Sequence, residues 1–210
     1  MSSSISSSMA PAGRAGDVIG ALAPHLWPEG GRRSLYMLVD AARDPGLYPG
    51  LLAHEGEADI LSLYQGETAS ELATVAPYIV RLDRGSATTA WLLGKGWGQG
   101  WGVLVQADGD IETVRRHFRK FTIVNGEQGE TYLFRFYDPV VLALFLPTCD
   151  AAQRTALFGP SIRFMMEDAQ ADALLAFELV ADDLRRAVIP VGRPAGGAPL
   201  AGRAAGRSDA

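Results

Sequence analysis

The residues of this chain that could carry chemistry are few. They are one cysteine, Cys149, three histidines, His25, His54 and His117, and a run in which every second residue is glycine, GKGWGQGWG from Gly94 to Gly102. Cys149 follows Pro147-Thr148 at the entrance to an expected helix, whose dipole could lower a thiol pKa. A lone cysteine is more often a small buried hydrophobe. None of the histidines stands in a motif, and there is no GxSxG elbow. A small hydrolase or transferase using Cys149 or His117 is therefore the alternative, and a protein with no catalytic residue is the main expectation. The glycine run gives neither GxGxxG nor GxxxxGK[ST], so it is not read as a phosphate cradle. Trp97 and Trp101 within it mark a loop or strained hairpin whose rings pack either on the core or on a partner. His54 with Glu55, Glu57 and Asp59 is the nearest approach to a metal cluster and reads better as a solvated turn, as Asp182-Asp183 reads as surface. No metal and no cofactor is expected.

Composition narrows the class. The chain has 210 residues, of which 48% are hydrophobic and 20% charged. That is enough for one domain with a real core. The net charge of −5 argues against a dedicated nucleic-acid binder, which needs a basic field to displace counterions. A single cysteine excludes an internal disulfide and the multi-cysteine zinc sites. The start, MSSSISSSMAPAGRAG, lacks the basic beginning and the apolar run of a signal peptide. No stretch approaches the roughly 20 apolar residues of a membrane span. A cytoplasmic protein is expected. Residues 1–16 and 189–210, rich in Ser or in Gly, Ala and Pro, are expected to be disordered tails around a folded part of 17–188.

The elements that must position any site alternate along the chain. Ser34–Asp40 reads as a buried strand, Ile60–Tyr64 and Tyr78–Leu82 as two more, with short helices at Asp44-Pro45 and Glu67–Val75 between them. Val103–Gln106 is a strand. Asp110–Phe121 is the clearest helix: Ile111, Val114, Phe118 and Phe121 share one face, and Arg115, Arg116, Arg119 and Lys120 lie off it. In an acidic protein that basic face suits an acidic segment of a protein partner. After a turn at Asn125–Gly129, Thr131–Tyr137 alternates as a strand. Asp138-Pro139 opens a helix with Asp as cap, and Asp150 with Gln153 forms a capping box for the next. In FRFYDP, Arg135 and Tyr137 would point to one side of the strand and Phe134 and Phe136 to the other, with Arg135 able to pair with a carboxylate such as Asp40. A last amphipathic helix is expected over about 167–187, with Leu174, Phe177, Ala181, Leu184 and Val188 on its buried side. The sum is an α/β (α+β) single domain. A mostly central mixed sheet flanked by helices would occupy about 34–147, and a helical C-terminal extension about 148–188.

Several of these segments together resemble a known family. LYMLVDAARDP (Leu35 to Pro45), SLYQG (Ser62 to Gly66), APYIVRL (Ala76 to Leu82), GWGVLVQAD (Gly100 to Asp108), VRRHFRKF (Val114 to Phe121), FRFYDPVVLALFLP (Phe134 to Pro147) and AQRTALFGP (Ala152 to Pro160) follow in order. They are similar to segments of the domain-of-unknown-function family 4123 (DUF4123), the bacterial adaptor-chaperones of type VI secretion. FRFYDP is the most specific piece, with Asp40, Arg135, Phe136, Tyr137, Asp138 and Pro139 as its structural motif. Val140 stands where the family more typically has an arginine or another polar residue. The resemblance implies a chaperone that binds a type VI effector, often through the effector's N-terminal region, and loads it on a VgrG spike protein. It implies no catalytic centre, no nucleic acid and no membrane. Among the residues read above, Trp97, Trp101, Arg115, Arg116 and Arg119 are the candidates for meeting a partner protein.

Overall fold

A strand as continuously apolar as Ser34–Asp40 needs apolar cover on both faces. The computed structural model, which describes residues 13–125, 130–159 and 162–191, supplies it. In chain order its elements are α1 (Gly13–Leu26), β1 (Ser34–Asp40), α2 (Leu47–Ala53), β2 (Ile60–Ser62), α3 (Gly66–Glu71), β3 (Pro77–Arg81), α4 (Ala87–Gly96) and β4 (Gly102–Ala107). Then follow α5 (Ile111–Phe118), β5 (Ile123–Asn125), β6 (Thr131–Leu133), α6 (Pro139–Phe145), α7 (Ala151–Phe158), β7 (Arg163–Glu167), β8 (Ala173–Val180) and β9 (Asp183–Pro190). Seven strands form one sheet in the order β2-β3-β1-β4-β7-β8-β9, and β5 pairs with β6 apart from it. The expected α+β domain is there, but every pairing in the large sheet is antiparallel where a mixed sheet was expected.

Because successive side chains on a strand point to opposite faces, β1 feeds two cores. Leu35, Met37 and Val39 join Leu22, Leu26, Leu47, Leu51, Leu92 and Leu93 under α1, α2 and α4. Tyr36 and Leu38 join Val114, Phe118, Leu142, Leu157 and Phe158 under α5, α6 and α7. The molecule is thus helices on sheet on helices, with β1 inside the sheet beside the middle strand β4. Helix starts follow the sequence: Asp110 accepts from the Thr113 N–H at 2.7 Å, Asp138 caps α6 with Pro139 next, and Asp150 with Gln153 closes a capping box on α7.

Three expectations need correction. The helix expected over 167–187 is instead the end of β7, all of β8 and most of β9. The steps of three and four among Leu174, Phe177, Ala181, Leu184 and Val188 imitate a helix because β8 is apolar on both faces, Leu174 and Ala176 entering one core and Leu175 and Phe177 the other. Ala181 sits at φ 50° and Asp182 at φ 68°, both left-handed. They make the two-residue turn that joins β8 to β9. Of the expected helical extension only α7 remains. Gly94 and Gly96 are not loop but the last turn of α4, and the loop proper is short. The strand expected over 131–137 ends at Leu133, and Arg135 to Asp138 form a turn closed by the Asp138 N–H on the Arg135 carbonyl at 3.0 Å. The sequence reading also passed over α1. Of the expected tails, 13–16 are helical, and Ile189 and Pro190 lie in β9. Residues 1–12 and 192–210, like 126–129 of the expected turn, lie outside the described residues.

Gly102 opens β4 against the backbone of β1: a Cβ there would stand 2.0 Å from the Leu38 carbonyl oxygen. Gly102→Ala is expected to destabilise the fold by about 3 kcal/mol or more, because the obstacle is backbone in a packed sheet and not a mobile side chain. Urea unfolding of the two proteins, at unchanged slope, checks this.

Candidate functional site

The end of β1 and the start of α6 meet in a cluster of four charges. Asp40, only 1% exposed, accepts from the Arg135 guanidinium and from the Ala42 N–H at 3.2 Å. Arg43, on the 3-10 turn after β1, donates to Asp138 and lies 3.9 Å from Asp40. Asp138 also accepts from the N–H of Val140 at 2.9 Å and of Val141 at 3.3 Å, so one carboxylate caps α6 and holds Arg43. The signs alternate through Arg135, Asp40, Arg43 and Asp138, which is what carboxylates withdrawn from water require. The Asp40–Arg135 pairing that the sequence suggested is present. Phe136 is fully buried and stacks on Phe118 with ring centroids 5.6 Å apart. Tyr137 is buried and hydrogen-bonded to Tyr64; burial first, and then Tyr64, push its phenol above the usual tyrosine range. Pro139 is buried as well. These residues hold the architecture together, and of the six only Arg135 reaches solvent.

The residues expected to face a partner divide. Trp97 and Trp101 are 8% and 9% exposed and belong to the core. The Trp97 indole N–H donates to the Ala171 carbonyl at 2.9 Å, and Trp101 packs on Trp91 at 5.8 Å. Their partner-facing reading is therefore corrected to the core alternative. The turn between them passes through Gly98 at φ 82° and Gly100 at φ 68°, and the buried Glu167 carboxylate accepts the N–H of both. Burial pushes that carboxyl up to about 7, against the opposing effect of the two N–H groups. Nothing in the sequence marked Glu167. Arg115 is tied down: it donates to the Ser62 carbonyl at 2.7 Å and pairs with Glu112 at 3.3 Å. Arg116 is exposed and Arg119 half-buried, so the basic face is narrower than its sequence implied.

The enzymatic alternative rested on Cys149 and His117. The Cys149 thiol is buried, donates to the Phe145 carbonyl at 3.5 Å, and is pushed up by burial despite Arg154 nearby. The His117 ring donates through Nε2 to the Leu157 carbonyl at 2.8 Å, and burial holds its pKa below the usual range. Among the described residues no hydrogen bond joins the two, and no group of three His, Cys, Asp or Glu could hold a metal ion. No helix there is long and apolar enough to cross a membrane.

The surface that sequence reasoning missed is the hairpin β5–β6. Ile123 lies opposite Leu133, and Val124 opposite Tyr132. The first pair points to one face of the hairpin and the second to the other. Ile123 is 54% exposed, Leu133 60% and Tyr132 54%, so apolar surface is open on both faces. Val124 also lines a groove of about 340 Å³ with Phe121, Phe134, Phe145, Ala156 and Leu157. Val141 and Leu144 are further exposed apolar residues of α6, the helix that carries Phe145, Leu144 being 70% exposed. The available signal was a pair of short apolar runs on either side of the expected turn: Ile123-Val124, assigned to no element, and Tyr132-Leu133, the start of a longer expected strand.

Compared with models of known protein families, residues 35–156 match the one described as Domain of unknown function (DUF4123). No curated protein and no solved structure matches the chain.

Two outcomes follow from these contacts. Asp40→Asn leaves two guanidiniums without the buried charge between them and is expected to lower unfolding stability by about 3 kcal/mol, read from denaturant midpoints. For Glu167 the folded value of about 7 lies above the ordinary 4.5. Between those values the unfolded chain gives up a proton that the folded chain keeps, so stability falls as pH rises through the window and levels off above it. Denaturation midpoints from the lower to the upper end of that window should show the wild type losing up to about 3 kcal/mol more than Glu167→Gln. A parallel dependence in the two proteins would contradict the assignment.

Proposed function

The chain belongs to the DUF4123 family, and from that premise we propose that it is an adaptor-chaperone of type VI secretion. It binds the N-terminal region of a toxic effector in the bacterial cytoplasm and places that effector on a VgrG spike protein. It works by surface complementarity and has no reactive centre of its own.

The observation that carries this reading is the hairpin β5–β6. Two three-residue strands apart from the main sheet are too short to be stable alone. Apolar surface on both faces of such an arm, continued on the Val124 side by the groove, is the composition of a site that another protein covers. Arg116 on α5 and Arg119 in the 3-10 turn that follows it, shortly before the hairpin in the chain, supply positive charge suited to an acidic stretch of the effector. An adaptor must also release its cargo, which favours an open apolar surface with a charged border over a deep polar pocket.

Co-purification with the effector encoded beside the chain tests the reading. Ile123→Asp combined with Leu133→Asp should cut captured effector by about tenfold or more, because it puts two charges on the exposed apolar face of the hairpin that points away from the groove. Its circular dichroism and melting should stay those of the wild type. Reversal of charge at Arg116 and Arg119 should weaken capture chiefly at low salt. Full capture by both variants would retire the surface, and turnover of a small molecule that is lost on Cys149→Ala or His117→Ala would retire the adaptor reading.

A further inference from the structure

Among the described residues nothing pairs with the outer side of the last strand of the large sheet. β9 is eight residues long and pairs with β8 only; six of its residues are exposed, and Leu184 and Ile189 are half-buried. Long exposed edge strands are templates for further pairing. The register fixes which backbone groups are free. The two-residue turn makes Val180 and Asp183 a hydrogen-bonded pair, and such pairs then alternate with non-bonded ones. The parity is checked at the far end, where the Val191 N–H donates to the Asp172 carbonyl at 2.9 Å. Leu184, Arg186, Val188 and Pro190 are consequently the residues whose backbone points away from β8. Pro190 has no N–H to offer, which leaves three outward donors.

The side chains along this edge state what would suit it. On one face Arg163, Glu178 and Arg185 lie side by side across β7, β8 and β9, Arg163 to Glu178 at 4.0 Å. The row of alternating charge thus ends on a cation at the open edge. On the other face Arg186 lies over the Phe177 ring at 6.0 Å, and Val188 stands bare. No ion pair holds Arg185 or Arg186 among the described residues. A second copy of this chain laid antiparallel on β9 with Arg186 opposite Arg186 would bring two Arg185-Arg186 pairs together, and like charges across a strand pair repel.

We propose that β9 accepts an extended acidic segment of another protein as an eighth strand. An acidic residue opposite Arg185 continues the charge row, and an apolar one opposite Val188 covers it. Affinity comes from the main-chain bonds of Leu184, Arg186 and Val188, and selectivity from the two arginines. The site lies on a different sheet from the hairpin β5–β6, and it stands or falls independently of the adaptor reading.

The test uses the full chain with two synthetic ten-residue peptides, one alternating valine with glutamate and one alternating valine with lysine. The glutamate peptide should bind about tenfold or more tightly than the lysine peptide by fluorescence anisotropy, and should slow exchange of the Leu184, Arg186 and Val188 amides in NMR. Val188→Pro removes an outward N–H without taking a bond from β8, and should abolish binding of the glutamate peptide. Arg185→Glu with Arg186→Glu should invert the preference toward the lysine peptide. Equal binding of both peptides, binding of neither, or no effect of either variant overturns the proposal. So does protection of those three amides in the free chain, which would mean that its own residues or a second copy already occupy the edge; sedimentation tells those two apart.

Discussion

The fold depends on the alternation of charge that joins Arg135, Asp40, Arg43 and Asp138. Asp40 ends the interior strand β1 and Asp138 caps the start of α6, so the cluster fixes one end of the sheet to one of the helices that cover it. Isolated buried carboxylates are among the costliest groups a protein interior can hold, and here each has a guanidinium and at least one backbone N–H. The directional demands of these four groups leave the chain between β6 and α6 little choice of path. Phe136 is driven into the aromatic cluster of Phe118 and Phe164, and Tyr137 to Tyr64.

That constraint also positions the surface on which the functional reading rests. Phe134 lies one residue before Arg135 and contacts Phe145 of α6 at 4.7 Å, closing one wall of the apolar groove. The hairpin therefore stands next to a rigid corner. A binding surface backed by such a scaffold loses little entropy on contact, since the anchoring rings are already in place. The network and the exposed hairpin are parts of one arrangement in which buried charge holds apolar side chains at the surface.

Much of this was legible in the residues. Asp138-Pro139 and Asp150 with Gln153 announce helix starts through local hydrogen bonds that need no tertiary context, and both form as written. Ser34–Asp40 was recognisable because a strand buried on both faces has no polar interruption. The same property hid β8: Ala173–Val180 is so largely apolar that its residues satisfy a helical spacing and a strand spacing alike, and its turn uses Ala181-Asp182 where Asn-Gly would have signalled a hairpin. The tryptophans of the glycine run were ambiguous from sequence because the groups that fix this segment, the Ala171 carbonyl on Trp97 and the Glu167 carboxylate on Gly98 and Gly100, lie far along the chain. The hairpin β5–β6 escaped notice because exposure on both faces is a property of what fails to cover it, and no local pattern encodes that.

The two guanidinium–carboxylate pairs at the corner each join residues 95 positions apart, whereas β8 and β9 are joined by a turn of two. Contacts so distant in the chain form only after a large loss of loop entropy, while a tight hairpin closes on the microsecond scale. The C-terminal meander can therefore zip up from its own turn, and the corner locks late, once β1 and its helices are already assembled. The groove walls that the corner sets in place share that timing, so a nascent or half-folded chain does not yet present them.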